Sequence, residues 1–394
     1  MEFDVIVIGA GPAGSAAALT AAKGGAKVLL LEKGPEPGSK NVSGAMIRTE
    51  EIAKVFDTSS MPFERKVKNV DLIFMDSTGK VRISVDISSG LINVGRLKLD
   101  KWMAQQAEKA GAVLVTKTTA LGVEKDGEKY KVVTDRGSIS GSKVVLAEGV
   151  NALISMGMKI RPDLEPEHSV QAVKEVYNLN KDEINKRLGF KSDEEGSSWR
   201  IFGTNPVPYA GFLYTYKDAI AIGVGIPMSI LVKKKISPYT VLDELKERLG
   251  INELVKGGSL REYSAKVIPE QGFPSYRACS GKIYLAGDSI GLINALTFNG
   301  IGPAVISGSI AGKAALEGYE CFKYEEELMK DKEIKGVVKA RPLIQELTKE
   351  ENLNYYVNFL GDALHSWAYG SLSLNLDMPR LIKHLMLGMG VLKA

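Results

Sequence analysis

Gly9, Gly11 and Gly14 stand at the spacing G-x-G-x-x-G, between an apolar run, Phe3-Asp4-Val5-Ile6-Val7-Ile8, and an Ala-rich stretch that favours helix. A buried parallel strand leaves by a tight turn, which Gly9 allows. Gly11 lets the backbone close on a pyrophosphate, and Gly14 lets helix and strand pack closely. Pro12 and Ala13 open a helix whose free N–H groups and dipole both favour negative charge. Glu32 ends the second apolar run, Lys27 to Leu31, just ahead of Lys33 and roughly 20 residues past the glycines, where a carboxylate accepts hydrogen bonds from a ribose diol. A carboxylate there disfavours a 2′-phosphate. The glycines thus specify a dinucleotide and leave NAD and FAD both open.

A second set lies far along the chain. The run Lys282 to Ala286 ends in Gly287-Asp288, and Asn299-Gly300-Ile301-Gly302-Pro303-Ala304 opens another Ala- and Ser-rich helix. Asp288 can bond a polyol hydroxyl. The N–H groups of Gly300, Ile301 and Gly302 aim a positive helix end at whatever lies in front of it. Before a flavin that would be the N1/C2=O edge, where negative charge appears on reduction; stabilising it raises the reduction potential. Pro303 falls in the first turn, where its missing N–H costs nothing. The small-residue loop from Gly38 through Ser43, Gly44 and Ala45 lets a planar ring lie against backbone, and equally suits a surface turn.

The elements that must position these residues come in pieces. Strands at Phe3 to Ile8 and Lys27 to Leu31 flank the first helix; short strands with turns follow from Val67 to Val94. A helix begins at Arg96, with Leu99, Trp102, Met103, Gln106 and Ala107 on one face. Strand Ala112 to Thr116, a hairpin at Lys125-Asp126-Gly127 and strand Ser142 to Ala147 come next. Runs at Val170 to Tyr177, Gly211 to Tyr216 and Ala219 to Gly225 predict an antiparallel sheet, with helices at Lys181 to Leu188 and Tyr239 to Leu249. Lys191 to Ser198 reads as a polar loop, and Lys233-Lys234-Lys235 as a solvated face. From about 320 the pattern is helical, and Tyr355, Tyr356, Phe359, Trp367 and Tyr369 have spacings typical of packing.

Composition bounds the rest. The chain has 394 residues, 44% hydrophobic and 25% charged, with a net charge of +4, which suits a soluble globular protein and not a nucleic-acid binder. Cys279 and Cys321 are too few for a disulfide framework or for a cluster needing four thiolates. His168, His365 and His384 lack metal-ligand spacing, so no metal site is expected. The chain opens on its first strand, with no signal peptide ahead of it and no spanning apolar stretch. A cytoplasmic protein is expected, with any membrane contact peripheral.

Taken together, Gly9 to Gly14 with Glu32, Arg96 before Leu99-Asp100-Lys101-Trp102, Ala147-Glu148-Gly149, and Gly287-Asp288 with Gly300-Ile301-Gly302 resemble the FAD-binding fold of p-hydroxybenzoate hydroxylase and its relatives. The resemblance implies an α/β protein: a Rossmann-like FAD-binding domain of glutathione-reductase/p-hydroxybenzoate-hydroxylase type, an inserted antiparallel β-sheet substrate domain and a C-terminal helical region. The expected divisions are 1–66, 95–164 and 266–320 for FAD; 67–94 and 165–265 for substrate; and 321–394 for the helices. It implies FAD as cofactor, with Arg96 near sugar and phosphates and Ala120 at the adenine. The middle motif ordinarily reads Asp-Gly; Glu148-Gly149 sets its carboxylate one methylene further out.

A finer resemblance, running from residue 1 to about 320, is to the FixC family and the flavin domain of electron-transfer-flavoprotein:quinone oxidoreductase. Its carriers are Lys40-Asn41-Val42-Ser43-Gly44, Val173-Lys174-Glu175-Val176, Gly211-Phe212-Leu213-Tyr214-Thr215, and the stretch from Gly257 through Arg261-Glu262-Tyr263 to Ile268-Pro269-Glu270. It implies electron transfer from a reduced electron-transfer flavoprotein through FAD to a membrane quinone or, with a bifurcating partner complex, between several carriers. With only two cysteines present, it also implies a separate small ferredoxin subunit. No protein nucleophile or metal is needed, since flavin carries the chemistry. Phe212, Tyr214 and Glu262 are the residues expected to line the substrate cavity. Two alternatives share the fold: a geranylgeranyl reductase acting on isoprenoid double bonds, and a flavin-binding subunit that only structures a larger complex. The reductases usually carry a Cys where Ser43 stands here. The final helix, Pro379 to Met389, combines basic and apolar faces, as expected for contact with the inner face of a membrane or for packing on the body.

Overall fold

The computed structural model describes residues 2–39, 44–76, 79–294, 297–371 and 376–392. The β-branched and leucine-rich runs that open the chain are buried on both faces, as parallel strands covered by helices must be. Glu2–Ile8 lies parallel to Val28–Leu31 on one side and to Gly137–Leu146 on the other. Val113–Val115 and Ile283–Leu285 extend these flanks in parallel, while Cys279–Ser280 and the hairpin of Ala120–Asp126 and Lys129–Thr134 add antiparallel edges to an eight-stranded sheet. Glu2–Ile8 therefore sits where the chain's crossover turns to the other side, the place at which such sheets open a crevice beyond their strand ends.

Helices Pro12–Lys23 and Ile301–Glu317 both pack on this sheet and against each other. Ala13, Ala17, Gly308 and Gly312 carry almost no side chain at the crossing, so the two backbones touch. A Cβ at Gly308 would run into the carbonyl oxygen of Ala13, and one at Gly312 into that of Ala17.

A second, nine-stranded sheet runs in the order Ser259–Pro269, Ser169–Asn178, Ala219–Pro227, Tyr209–Thr215, Glu195–Gly203, Arg65–Met75, Leu91–Gly95, Gly44–Arg48, with Lys80–Asp86 against Arg65–Met75. Every pairing is antiparallel except that of Glu195–Gly203 with Arg65–Met75, which is parallel. Gly44–Arg48 joins this sheet although it falls within the segment 1–66 expected in the nucleotide domain, and Ser259–Pro269 runs across the expected boundary at 265/266. Helices Lys181–Leu188 and Pro238–Leu249 cover one face, packing Ile184, Leu242 and Leu245 over Ile73, Ile201, Leu213 and Ile222.

One expectation is corrected here. The polar stretch ending at Ser198 is not a loop beyond Glu194: Glu195–Gly203 is an inner strand, and its serines are buried with partners. Ser198 Oγ donates to Asn93 Oδ1 at 2.7 Å, and the Ser197 N–H donates to Thr215 Oγ1 at 3.0 Å. Lys233-Lys234-Lys235 is exposed, as expected of a solvated face, and Lys233 and Lys234 also pair with Glu350 of the C-terminal helices at 3.0 Å. Although two cysteines make no framework, Cys279 and Cys321 are bonded to each other, across a separation of 42 residues. The bond ties the edge strand of the first sheet to the start of helix Cys321–Lys330.

Of the C-terminal helices, Lys332–Leu347 packs on Ile301–Glu317 and Cys321–Lys330, Glu350–Ala368 on Arg65–Met75 and Lys80–Asp86, and Met378–Leu392 on Lys332–Leu347. Arg341 anchors them. Its buried guanidinium donates to the carbonyl oxygens of Gly272, Phe273 and Gly291 at 2.9, 2.6 and 2.8 Å. No helix among the described residues is long and apolar enough to cross a membrane.

Candidate functional site

A cavity of about 880 Å³ lies between the two sheets and reaches the C-terminal helices. Its polar end is built from the glycine turns. Gly9, Gly11, Pro12 and Ala13 line it, and no side chain caps the helix that starts there. A Cβ at Gly11 would meet no protein atom within 4 Å, whereas one at Gly9 would run into the carbonyl of Ala147 and one at Gly14 into that of Gly9. Gly9 and Gly14 thus serve chain packing, Gly14 lying behind the wall. Gly11 faces open space over unpartnered helix N–H groups, a cradle that fits a diphosphate.

Glu32 and Lys33 line the same end. The Glu32 carboxylate accepts from the Ala10 N–H at 3.1 Å and the Gly34 N–H at 2.6 Å, which holds it beside the glycine turn. Gly44, Ala45 and Ala120 also line the cavity; Ser43 lies outside the described residues. Arg96 lines it too, locked by a two-pronged pair with Asp100, both bonds 2.8 Å.

Glu148 and Gly149 reach the cavity wall, but the longer side chain of Glu148 is used within the protein. Its carboxylate accepts from the N–H groups of Ile154 and Ser155 at 2.7 and 3.0 Å. Burial still pushes this carboxyl upward, against the pull of those two donors.

At the other flank, Gly287, Asp288, Gly300 and Ile301 line the cavity and Gly302 does not. The Gly302 N–H is taken by Asn299 Oδ1 at 3.3 Å, and a Cβ there would overlap the Glu51 carboxylate, itself held by Asn299 Nδ2 at 2.9 and 3.0 Å. Gly302 is a packing position rather than a ligand-facing one.

Phe212 and Tyr214 face the apolar end, stacked with ring centroids 4.9 Å apart. Behind them Arg200, absent from the expected site, donates to Tyr214 Oη at 3.0 Å and lies 4.9 Å from the Phe298 ring centre. Glu262 is not on the wall; its carboxylate pairs with Lys174 at 2.9 Å, and Lys174 is the residue that lines the cavity. Sequence reasoning also missed Lys266, 3.8 Å from Asp288, and Glu270. Burial lowers both lysines, against the raising influence of Glu262 on Lys174 and Asp288 on Lys266. Ile344, Leu347 and Leu353 of the C-terminal helices, which the sequence did not single out, also line the cavity.

Residues 4–150 match the protein-family model described as FAD dependent oxidoreductase. Protein FixC of Bradyrhizobium diazoefficiens is 34% identical over 97% of this chain and 85% of its own length. The chain belongs to the FixC family. This FixC-family protein is 31% identical, over 81% of its length and 77% of the other's, to the probable electron transfer flavoprotein-quinone oxidoreductase YdiS of Escherichia coli K12. Among solved structures it is similar to a geranylgeranyl bacteriochlorophyll reductase-like protein from Thermoplasma acidophilum, with TM-score 0.72 and 20% identity over 98% of this chain and 96% of that one. It is also similar to halogenase PltM in complex with phloroglucinol and FAD, with TM-score 0.68 and 14% identity over 92% and 80%. The protein is an FAD-dependent oxidoreductase with the α/β fold these structures share.

Proposed function

We propose that this protein passes electrons from a reduced electron-transfer flavoprotein through FAD to a quinone, with a small ferredoxin as a separate subunit. The observation that carries this reading is the continuity of the cavity. One space runs from the diphosphate cradle at Gly11 to an apolar chamber lined by Phe202, Phe212, Phe298, Ile344 and Leu347, so a flavin and a lipid-like acceptor could lie side by side. The names of its FixC and YdiS relatives point the same way.

In this reading Gly11, Pro12 and Ala13 hold the pyrophosphate on the helix N-terminus, Glu32 and Lys33 the ribose, and Ala120 the adenine. Arg96 sits by sugar and phosphate, and Asp288 bonds the ribityl chain. Gly300 and Ile301 face the N1/C2=O edge, and Gly44, Ala45 and Gly149 let the ring lie close. Glu148 supports the wall by accepting from the N–H groups of Ile154 and Ser155. FAD supplies a carrier that takes two electrons together and can release them singly.

The test is a steady-state assay of purified holoenzyme with reduced electron-transfer flavoprotein and decylubiquinone. Quinone reduction is expected. Saturation of a geranylgeranyl double bond under dithionite, with no quinone reduced, would instead support the reductase reading that the apolar chamber and the fold of the Thermoplasma protein favour. Flavin binding without either activity would leave the chain a structural subunit.

We also propose that the helix Met378–Leu392 touches the membrane interface. Leu385 and Met386 are 65% and 64% exposed, with Arg380 and Lys383 on the same helix, while His384 is buried against Tyr356. The double variant Leu385→Glu/Met386→Glu spares that packed face. It is expected to lose at least half of the wild-type co-sedimentation with anionic liposomes; equal binding of both proteins would sink the membrane contact.

A further inference from the structure

Glu270 follows the last residue of strand Ser259–Pro269 and lines the cavity. Its backbone N–H donates to the His168 carbonyl oxygen at 2.8 Å, which fixes the strand's exit. Among the described residues, no hydrogen bond or ion pair reaches its carboxylate. Val170, Pro227, Ile268, Ile344 and Leu347 line the same chamber. A carboxyl left alone in such surroundings serves packing poorly, since an apolar residue of its size would cost less to bury.

The surrounding charges are engaged elsewhere. His168 has its imidazole 3.9 Å from Glu165, and Lys266, on the same strand, is paired with Asp288. Arg341 spends its guanidinium on the carbonyls of Gly272, Phe273 and Gly291, and Arg161 donates to the Val150 carbonyl oxygen at 2.8 Å. Lys174 faces Glu262.

We infer that Glu270 is the proton donor to the quinone, an inference that rests on the functional reading above. Burial alone pushes its carboxyl up to about 7, so that near neutrality it holds a proton it can give. Reducing a quinone to a hydroquinone takes two electrons and two protons. The quinone takes two electrons and one proton from the reduced cofactor and the second proton, on a carbonyl oxygen, from Glu270. Water then reprotonates the Glu270 carboxylate.

The test compares two oxidants of photoreduced holoenzyme under anaerobic stopped flow: decylubiquinone, which takes up protons, and ferricenium ion, which takes up none. Wild-type reoxidation by the quinone should slow as pH rises through about 7. Glu270→Gln should slow that step by ~10²-fold and abolish its pH dependence, while leaving the ferricenium rate unchanged. Infrared difference spectra should show a protonated carboxyl band at mildly acidic pH that disappears as pH rises and is absent from the variant. Equal slowing with both oxidants, a pH dependence that survives in Glu270→Gln, or no such band overturns the inference. A wild type that reoxidises with ferricenium but never with the quinone overturns the functional reading and this step together; normal quinone turnover in Glu270→Gln overturns this step alone.

Discussion

Gly11→Val yields folded, colourless protein. Gly11 has extended backbone, φ −76° and ψ −172°, which any residue adopts, and an added Cβ meets no protein atom within 4 Å. Nothing in the chain itself resists the substitution. The branched side chain would instead stand in the cradle above the helix N-terminus, where a pyrophosphate must approach backbone. Flavin absorbance per chain is expected to fall by at least ~10-fold, equivalent to about 1.4 kcal/mol of lost affinity or more, with an unchanged far-UV circular dichroism spectrum. Gly14→Val is the informative contrast: its Cβ runs into the Gly9 carbonyl, so it is expected to fail in folding rather than in binding alone. Full flavin occupancy in Gly11→Val would overturn the placement of the cofactor.

Gly308→Val strikes the same cradle from behind. The Cβ would run into backbone, the Ala13 carbonyl oxygen, and neither helix has a side chain there that could rotate away. Forcing extra atoms into a packed core costs about 1–3 kcal/mol, and a backbone obstacle puts this substitution at or above the upper end. Separating the helices also moves Ala13, which lines the cavity. A lower urea midpoint at saturating FAD and weaker flavin retention should therefore appear together. Gly312→Ala, one turn further from the cavity, should lower the midpoint with less effect on the flavin. An unchanged midpoint in Gly308→Val would contradict the close crossing.

Much of the nucleotide end was legible in the sequence because each residue there answers a local demand. A strand that turns sharply needs Gly9, and a strand's exit beside a diol suits Glu32. Other features depend on partners remote in sequence. Glu195-Gly196-Ser197-Ser198 has the composition of a loop, and partners remote in sequence, Asp71, Asn93 and Thr215, make its serines acceptable inside a sheet. Gly300 and Gly302 share one motif, yet Asn299 and Glu51 claim the second. Glu262, within strand Ser259–Pro269, pairs with Lys174 and is off the wall, whereas Glu270, just past the end of that strand, lines the cavity. Periodicity marked the last helices as amphipathic, but Arg341 decides where they dock and hence that Ile344 and Leu347 close the chamber.

The measurement that bears most directly on electron transfer through this chain is a sequential anaerobic mixing experiment. The yellow protein is first mixed with reduced electron-transfer flavoprotein, then with decylubiquinone. Bleaching of the FAD absorbance in the first step and its return in the second, with one hydroquinone formed per flavin, is the predicted result. Flavin that stays oxidised with the donor, or that bleaches and is never reoxidised by the quinone, would contradict it.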